Sequence, residues 1–263
     1  MTKQMTKQMT KPLFLIDLDD TILQTARKMS PEDVRHVAAL DKHGQPLSFT
    51  NNTQRAFIDW LLATADVVPV TARSVNAFKR VQLPFSRGAI CAHGAVILNA
   101  DGEIDEVWHN HTKQQLEKYR VNLIEIQQQI VQIGKSLDLS LRTWIVDEEG
   151  IATYTLAKHN NQGDDVLISV ENKLKQVMDL SDFYIHRNAN NLAILPNVLH
   201  KKFAVQEWLR RDREQHGERP ILGFGDSLSD MGFLQECHWW ATPRQGQLAE
   251  HIYQSLAMRG EGV

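Results

Sequence analysis

Asp17-Leu18-Asp19-Asp20-Thr21 crowds three carboxylates and a hydroxyl directly behind the apolar run Leu13 to Ile16. Carboxylates this close repel one another. Helix capping explains part of the pattern, because Asp and Thr cap helix starts well. A divalent cation explains it more fully: Mg²⁺ takes hard oxygens, commonly from one or two carboxylates together with water and phosphate. A second acidic loop, Gly223-Phe224-Gly225-Asp226-Ser227-Leu228-Ser229-Asp230, follows another apolar run. By itself it reads equally well as a helix start at Ser229 or Asp230; beside the first motif, its Asp226 could complete a metal shell. Thr71 can donate a hydroxyl hydrogen bond to a phosphate, and Lys201, at a predicted helix start, can offer a point charge. Singly, Thr71 reads as a strand-end cap and Lys201 as a surface lysine; with the aspartates they make a site for a phosphate ester and a cation.

The elements that must position these residues follow from periodicity. Leu13 to Ile16 and Val67 to Val70 read as buried parallel strands, joined through a surface hairpin (Val34 to Leu40 with Pro46 to Phe49) and a helix over Thr53 to Ala65. Gly88 to Ala92, then a hairpin of Val96 to Leu98 with Ile104 to Trp108, continue the domain. A long amphipathic helix runs from Leu116 to Leu137. Two hairpins, Leu141 to Val146 with Ile151 to Leu156 and Phe183 to His186 with Asn191 to Leu195, flank a helix over Val166 to Met178. The first pattern resumes with a helix over Lys201 to Gln215, a strand over Ile221 to Gly225 and a strand and helix through His238 to Leu256, where Trp239 and Trp240 read as core and edge. An α+β insert thus interrupts an α/β domain, and Asp17, Thr71 and Asp226 all fall at carboxyl ends of strands, where open α/β sheets hold ligands.

The chain has 263 residues, 42% apolar, with 29 basic against 32 acidic residues. This balance argues against a nucleic-acid partner. Cys91 and Cys237 are too few for a disulfide framework and read as buried apolar residues. The start, MTKQMTKQMTK, is basic, but the apolar run behind it is too short for an export signal, and no run suits a membrane span. The expectation is a cytoplasmic protein without a membrane partner, a monomer or weak homo-oligomer, with a disordered tail over residues 1–11.

The ordered set Asp17-x-Asp19-x-Thr21, Thr71-Ala72-Arg73, Lys201 and Gly225-Asp226-x-x-x-Asp230 resembles the haloacid dehalogenase (HAD) superfamily of phosphohydrolases, over residues 13 to about 255. The insert is similar to the larger cap of the type IIB, Cof-like branch, which includes sucrose-phosphate, trehalose-phosphate and mannosyl-phosphoglycerate phosphatases. The resemblance implies a Rossmann-like parallel-sheet core (12–109 and 196–263) with an α+β cap (110–195) that sets specificity. It implies a phosphoric monoester hydrolase that uses Mg²⁺ on a small phosphorylated metabolite, foremost a sugar phosphate. Asp17 would be nucleophile and metal ligand, Asp19 the general acid and base, lending its backbone carbonyl to the metal, and Asp226 the remaining carboxylate ligand. Thr71, Ala72 and Lys201 would bind the phosphoryl group, with Asp230 and Ser227 in support. Lys202 competes with Lys201, though Lys201 lies five residues after Pro196, the branch's usual spacing. The chain departs from the pattern at Ala72 (Gly in many relatives), His93 (Asn) and Ser229 (Asn). A sugar phosphomutase would use the same nucleophile, and a non-catalytic phosphosugar sensor would not need Asp19. For the leaving group, Arg73 and Arg187 lead a set that includes His111, Arg142, Lys158 and His186; Trp108, Trp144 and Tyr154 could stack on a sugar or pack in the core.

Overall fold

Leu13–Ile16 (β1) is buried at every position, as a central strand covered on both faces must be. The computed structural model describes residues 11–159, 164–188 and 190–258; the expected tail lies outside them except for Lys11. After β1 come Gln24–Thr25 (β2), His36–Leu40 (β3), Pro46–Thr50 (β4), Asn52–Thr64 (α1), Asp66–Pro69 (β5), Val75–Phe78 (α2), Ala89–Cys91 (β6) and Val96–Leu98 (β7). An inserted stretch carries Glu106–Glu117 (α3), Arg120–Ser136 (α4), Leu141–Glu148 (β8), Ile151–His159 (β9), Asp164–Val177 (α5), Phe183–Asn188 (β10) and Asn191–Pro196 (β11). The chain closes with Lys201–His216 (α6), Ile221–Phe224 (β12), Met231–Leu234 (α7), Trp239–Ala241 (β13) and Gln247–Met258 (α8). Asp105–His200 forms one compact unit and the rest of the described chain the other.

In the first unit a parallel sheet has the order β13-β12-β1-β5, with Leu13 paired to both Ile221 and Asp66. Phe14 and Ile16 pack with Ile58 and Leu61 of α1, and Phe14 stacks on Phe224 at 5.6 Å. The start of α1 is fixed by a reciprocal cap, Asn51 accepting from the Gln54 N–H and Gln54 from the Asn51 N–H. A small antiparallel sheet, β2-β4-β3, lies within the same unit. The inserted unit is an antiparallel sheet of order β10-β11-β9-β8, whose core joins Ile126, Ile130 and Ile133 of α4 to Leu167, Val170 and Leu174 of α5 and to Ala157, Leu192 and Ile194 of the strands. Among the described residues, no helix is long and apolar enough to cross a membrane.

Three expectations need correction. Ile104 to Trp108 is not a strand: β7 pairs with β6, Ile104 makes a lone bridge to Leu98, and Asp105 caps α3 by accepting from the Trp108 N–H at 2.8 Å. Leu116 to Leu137 is two helices. The Tyr119 N–H bonds back three residues to Leu116 O, tightening one turn, while the buried stripe Leu116, Leu123, Ile126, Ile130 continues across the break. Trp239 (62% exposed) is not core, because β13 is the edge of its sheet, where Trp240 (41%) lies as expected. Cys91 is buried and Cys237 half-buried.

Candidate active site

Asp17 stands one residue beyond β1, its N–H donating to Phe224 O, the last residue of β12, at 2.8 Å. Asp226 stands two residues beyond β12, held by its carbonyl, which accepts from the Leu248 N–H at 2.7 Å. Thr71 follows β5, its N–H donating to Ile90 O at 2.8 Å. Parallel pairing in register thus brings three stretches of chain to one end of the sheet. Lys201, in the first turn of α6, is buried and reaches them: its Nζ donates to Asp17 Oδ1 at 2.6 Å and to Asp230 Oδ1 at 2.7 Å. Lys202 instead faces Glu236 at 3.5 Å, so the lysine of this cluster is Lys201.

Asp230 is fully buried and spends most of its lone pairs on its neighbours. Besides Lys201, it accepts at Oδ2 from the Ser227 N–H (3.0 Å) and the Ser227 hydroxyl (2.9 Å). The loop can close this tightly only because residue 225 is glycine; a Cβ there would lie 2.7 Å from the Asp230 Cβ. Asp17 and Asp226 keep oxygens facing one another. Thr21 Oγ1 lies 3.2 Å from Asp17 Oδ2 and 3.3 Å from Asp226 Oδ1, yet a hydroxyl has a single proton and can donate to only one of them.

The electrostatics reflect this excess of negative charge. Burial pushes the Asp17 carboxyl well above the usual range; the Lys201 ammonium opposes this, while Asp230 and Asp226 add to it. Asp226 is pushed up to about 7 by burial, then by repulsion from Asp230 and Asp20. Lys201 is raised: burial disfavours its charge, but Asp17 and Asp230 outweigh burial. The carboxylates of Asp17, Asp226 and Asp230, with oxygens within 4.8 Å of one another, form a hard-oxygen set suited to a divalent cation.

The other acids of the first motif point elsewhere. Asp20 adopts a left-handed conformation (φ 64°) and pairs with Lys28 at 2.6 Å. Asp19 accepts from Arg73 through both oxygens, from Nε at 2.7 Å and from Nη2 at 2.6 Å, so Arg73 is engaged within the protein. The Thr71 hydroxyl accepts from the Arg73 N–H at 3.1 Å, which leaves its proton available to donate; Ala72 lies between them. His93 sits in a left-handed stretch with Ala92 and Gly94, buried, its N–H donating to Thr71 O at 3.2 Å.

Among the inserted unit's candidates, Arg187 donates to Glu171 at 2.6 Å, and His111 lies 5.2 Å from the Trp108 ring. Arg142 faces Lys158 directly across β8 and β9, and burial followed by this like charge lowers the Lys158 pKa. Tyr154 is buried, its hydroxyl pushed up to about 12 by burial and by Glu148, and so packs inside the unit. Trp144 is partly exposed opposite Leu156, and His186 is paired with Ala193. One participant was not visible in the sequence: Ser48, on the hairpin read as surface, is buried and accepts from Arg73 Nη2 at 2.9 Å. A lone serine between strand residues carries no signal of such a contact.

The fold recurs in solved structures. The C-terminal domain of trehalose-6-phosphate phosphatase from C. albicans is similar over 97% of this chain and 79% of that one, with a TM-score of 0.57 and 14% identity. The sucrose-phosphatase of Synechocystis, in complex with sucrose and phosphate, is similar over 94% and 88%, with a TM-score of 0.53 and 18% identity. A Thermoplasma acidophilum protein is similar over 97% and 100%, with a TM-score of 0.50 and 14% identity. No family model matches the sequence, and no curated protein matches it. The parallel sheet with an α+β unit inserted ahead of Lys201, shared across nearly the whole chain with these structures, gives this protein the HAD fold.

Proposed function

We propose that the protein is a Mg²⁺-dependent phosphohydrolase that acts on a small phosphorylated metabolite, foremost a sugar phosphate, through an aspartyl phosphate on Asp17. The observation that carries this reading is the buried array of Asp17, Lys201, Asp226 and Asp230, drawn from distant parts of the chain to the carboxyl end of one sheet. Three buried carboxylates against one ammonium are costly without a further cation. Asp17 and Asp226, whose facing oxygens share a single hydroxyl proton, together with the Asp19 carbonyl, would hold the Mg²⁺. When bound, Mg²⁺ supplies positive charge that offsets repulsion between the Asp17 carboxylate and the ester dianion. The sugar phosphatases among the similar folds support the substrate class.

The Lys201 ammonium and the Thr71 hydroxyl would donate to the phosphoryl oxygens, with the Ala72 backbone alongside. The Asp17 carboxylate attacks phosphorus, the bond from phosphorus to the ester oxygen breaks, and Asp19 gives its proton to the departing oxygen. Asp19 then takes a proton from the water that attacks the aspartyl phosphate, and inorganic phosphate leaves with Asp17 restored. Asp230, held by Ser227, fixes Lys201. The inserted unit would supply leaving-group recognition. A phosphate-release screen across sugar phosphates, including trehalose 6-phosphate and sucrose 6-phosphate, with glycerate phosphates and nucleotides, each with and without Mg²⁺, tests the reading. Release from sugar esters that requires Mg²⁺ is expected; absence of release from every ester would overturn it.

The raised Asp226 carboxyl gives a second test. An unfolded Asp ionises near pH 4, whereas Asp226 in the folded, metal-free protein holds its proton to about pH 7. Between these values the folded state binds more protons, so stability falls as pH rises across the window and levels off above it. Mg²⁺ should therefore raise Tm little at pH 5 and by about 5 °C at pH 8 at saturation, read by scanning fluorimetry. Equal shifts at both pH values would argue against metal binding at Asp226.

A further inference from the structure

We propose that Arg73 is the positioning residue for Asp19, fixing the acid that protonates the leaving group rather than contacting the substrate; this rests on the hydrolytic reading above. The guanidinium grips Asp19 in fork geometry, Nε to Oδ2 and Nη2 to Oδ1, while Nη2 also donates to the buried Ser48 hydroxyl at 2.9 Å. Its side chain is only 9% exposed, whereas that of Asp19 is 45% exposed, so the cation is the fixed member and the carboxylate the member at the surface of the site. The Arg73 backbone is held at both ends, its N–H donating to Thr71 Oγ1 at 3.1 Å and its carbonyl accepting from the Ala92 N–H at 2.7 Å.

This arrangement has a chemical use. Asp19 sits in a loop, and a carboxylate free to rotate there would present its oxygens to the ester only part of the time. A bidentate arginine fixes both the place and the plane of the carboxyl group, while each oxygen keeps a second lone pair able to carry the transferred proton. That proton passes to the ester oxygen as its bond to phosphorus breaks. The hairpin bearing Ser48 thereby acquires a function, since β4 carries the hydroxyl that braces the guanidinium. A misplacement of about 1 Å can cost about 10²-fold in rate.

The experiment compares two esters in the full-length protein: p-nitrophenyl phosphate, whose phenolate departs without a proton, and the alkyl phosphate that the wild-type protein turns over fastest in the screen. For Arg73→Ala, kcat on the alkyl ester should fall about 10²-fold with KM changed by less than about threefold. The pre-steady-state burst of p-nitrophenolate should stay within about threefold of wild type. Adding Asp19→Asn to Arg73→Ala should cost little beyond Asp19→Asn alone. Arg73→Lys, which keeps the charge but loses the fork, and Ser48→Ala, which loses only the brace, should show the same ester selectivity in smaller degree, so that a poorly folded Arg73→Ala does not decide the outcome. A KM rise with kcat intact would make Arg73 a substrate ligand and overturn the proposal, as would equal losses on both esters or losses additive with Asp19→Asn. A wild-type protein that hydrolyses neither ester would refute the hydrolytic reading itself.

Discussion

Asp17→Asn is expected to abolish phosphate release, by at least about 10⁴-fold, with the fold intact. The amide has nearly the shape of the carboxyl and its oxygen can still accept from Lys201, but it lacks the charge and nucleophilicity to attack phosphorus. Because burial and two neighbouring aspartates already disfavour a charged Asp17, the neutral replacement should not lower thermal stability. Phosphate release and Tm on the same preparation check both halves. If Asp17→Asn kept most of the activity with Mg²⁺ present, the covalent route would be wrong.

Lys201→Met should be the most damaging change to activity and stability together. On the proposed mechanism turnover should fall by about 10³-fold, because the ammonium would face the phosphoryl oxygens as charge develops on them. Removing it also leaves Asp17 and Asp230 buried without their cation, a loss of about 3–5 kcal/mol at pH 8. The sign of the pH dependence follows from Asp17. Without the ammonium its carboxyl is held up further, so protonation in the fold is favoured as pH falls and the penalty should be smaller at pH 5 than at pH 8. Urea unfolding at the two pH values measures this. Lys202→Met, which removes an ammonium that lies 3.5 Å from Glu236 and away from Asp17 and Asp230, should leave turnover unchanged and cost under about 1 kcal/mol.

Much of this site was legible because parallel strands put their carboxyl ends together, so acids following apolar runs converge wherever the sheet forms. Asp17, Thr71 and Asp226 obey that rule. What the sequence could not show is direction: of the three acids in Asp17 to Asp20, one turns inward, one is taken by Arg73 and one by Lys28. Adjacent carboxylates are separated by backbone conformation, here the left-handed Asp20, which spacing does not reveal. The same blindness joined α3 to α4, since an apolar stripe persists through a single tightened turn. Ile104 to Trp108 forms no strand because a capping signal, Asp105 followed by Glu106, starts a helix there, a signal the sequence carries. Trp239 lies outside the core its hydrophobicity suggested because hydrophobicity does not tell an edge strand from a central one.

Because β1 lies between β5 and β12, the strand that ends at Asp17 gains its second neighbour only after some two hundred further residues have been synthesised. A nascent chain still on the ribosome can assemble β5 against β1 and complete the inserted unit while Asp17 waits for its counter-ion and for the loop of Asp226. On the proposed function, catalytic competence would have to wait for the segment from Ile221 onward. Chains released before Ile221 would carry Asp17 without the strand that holds its N–H.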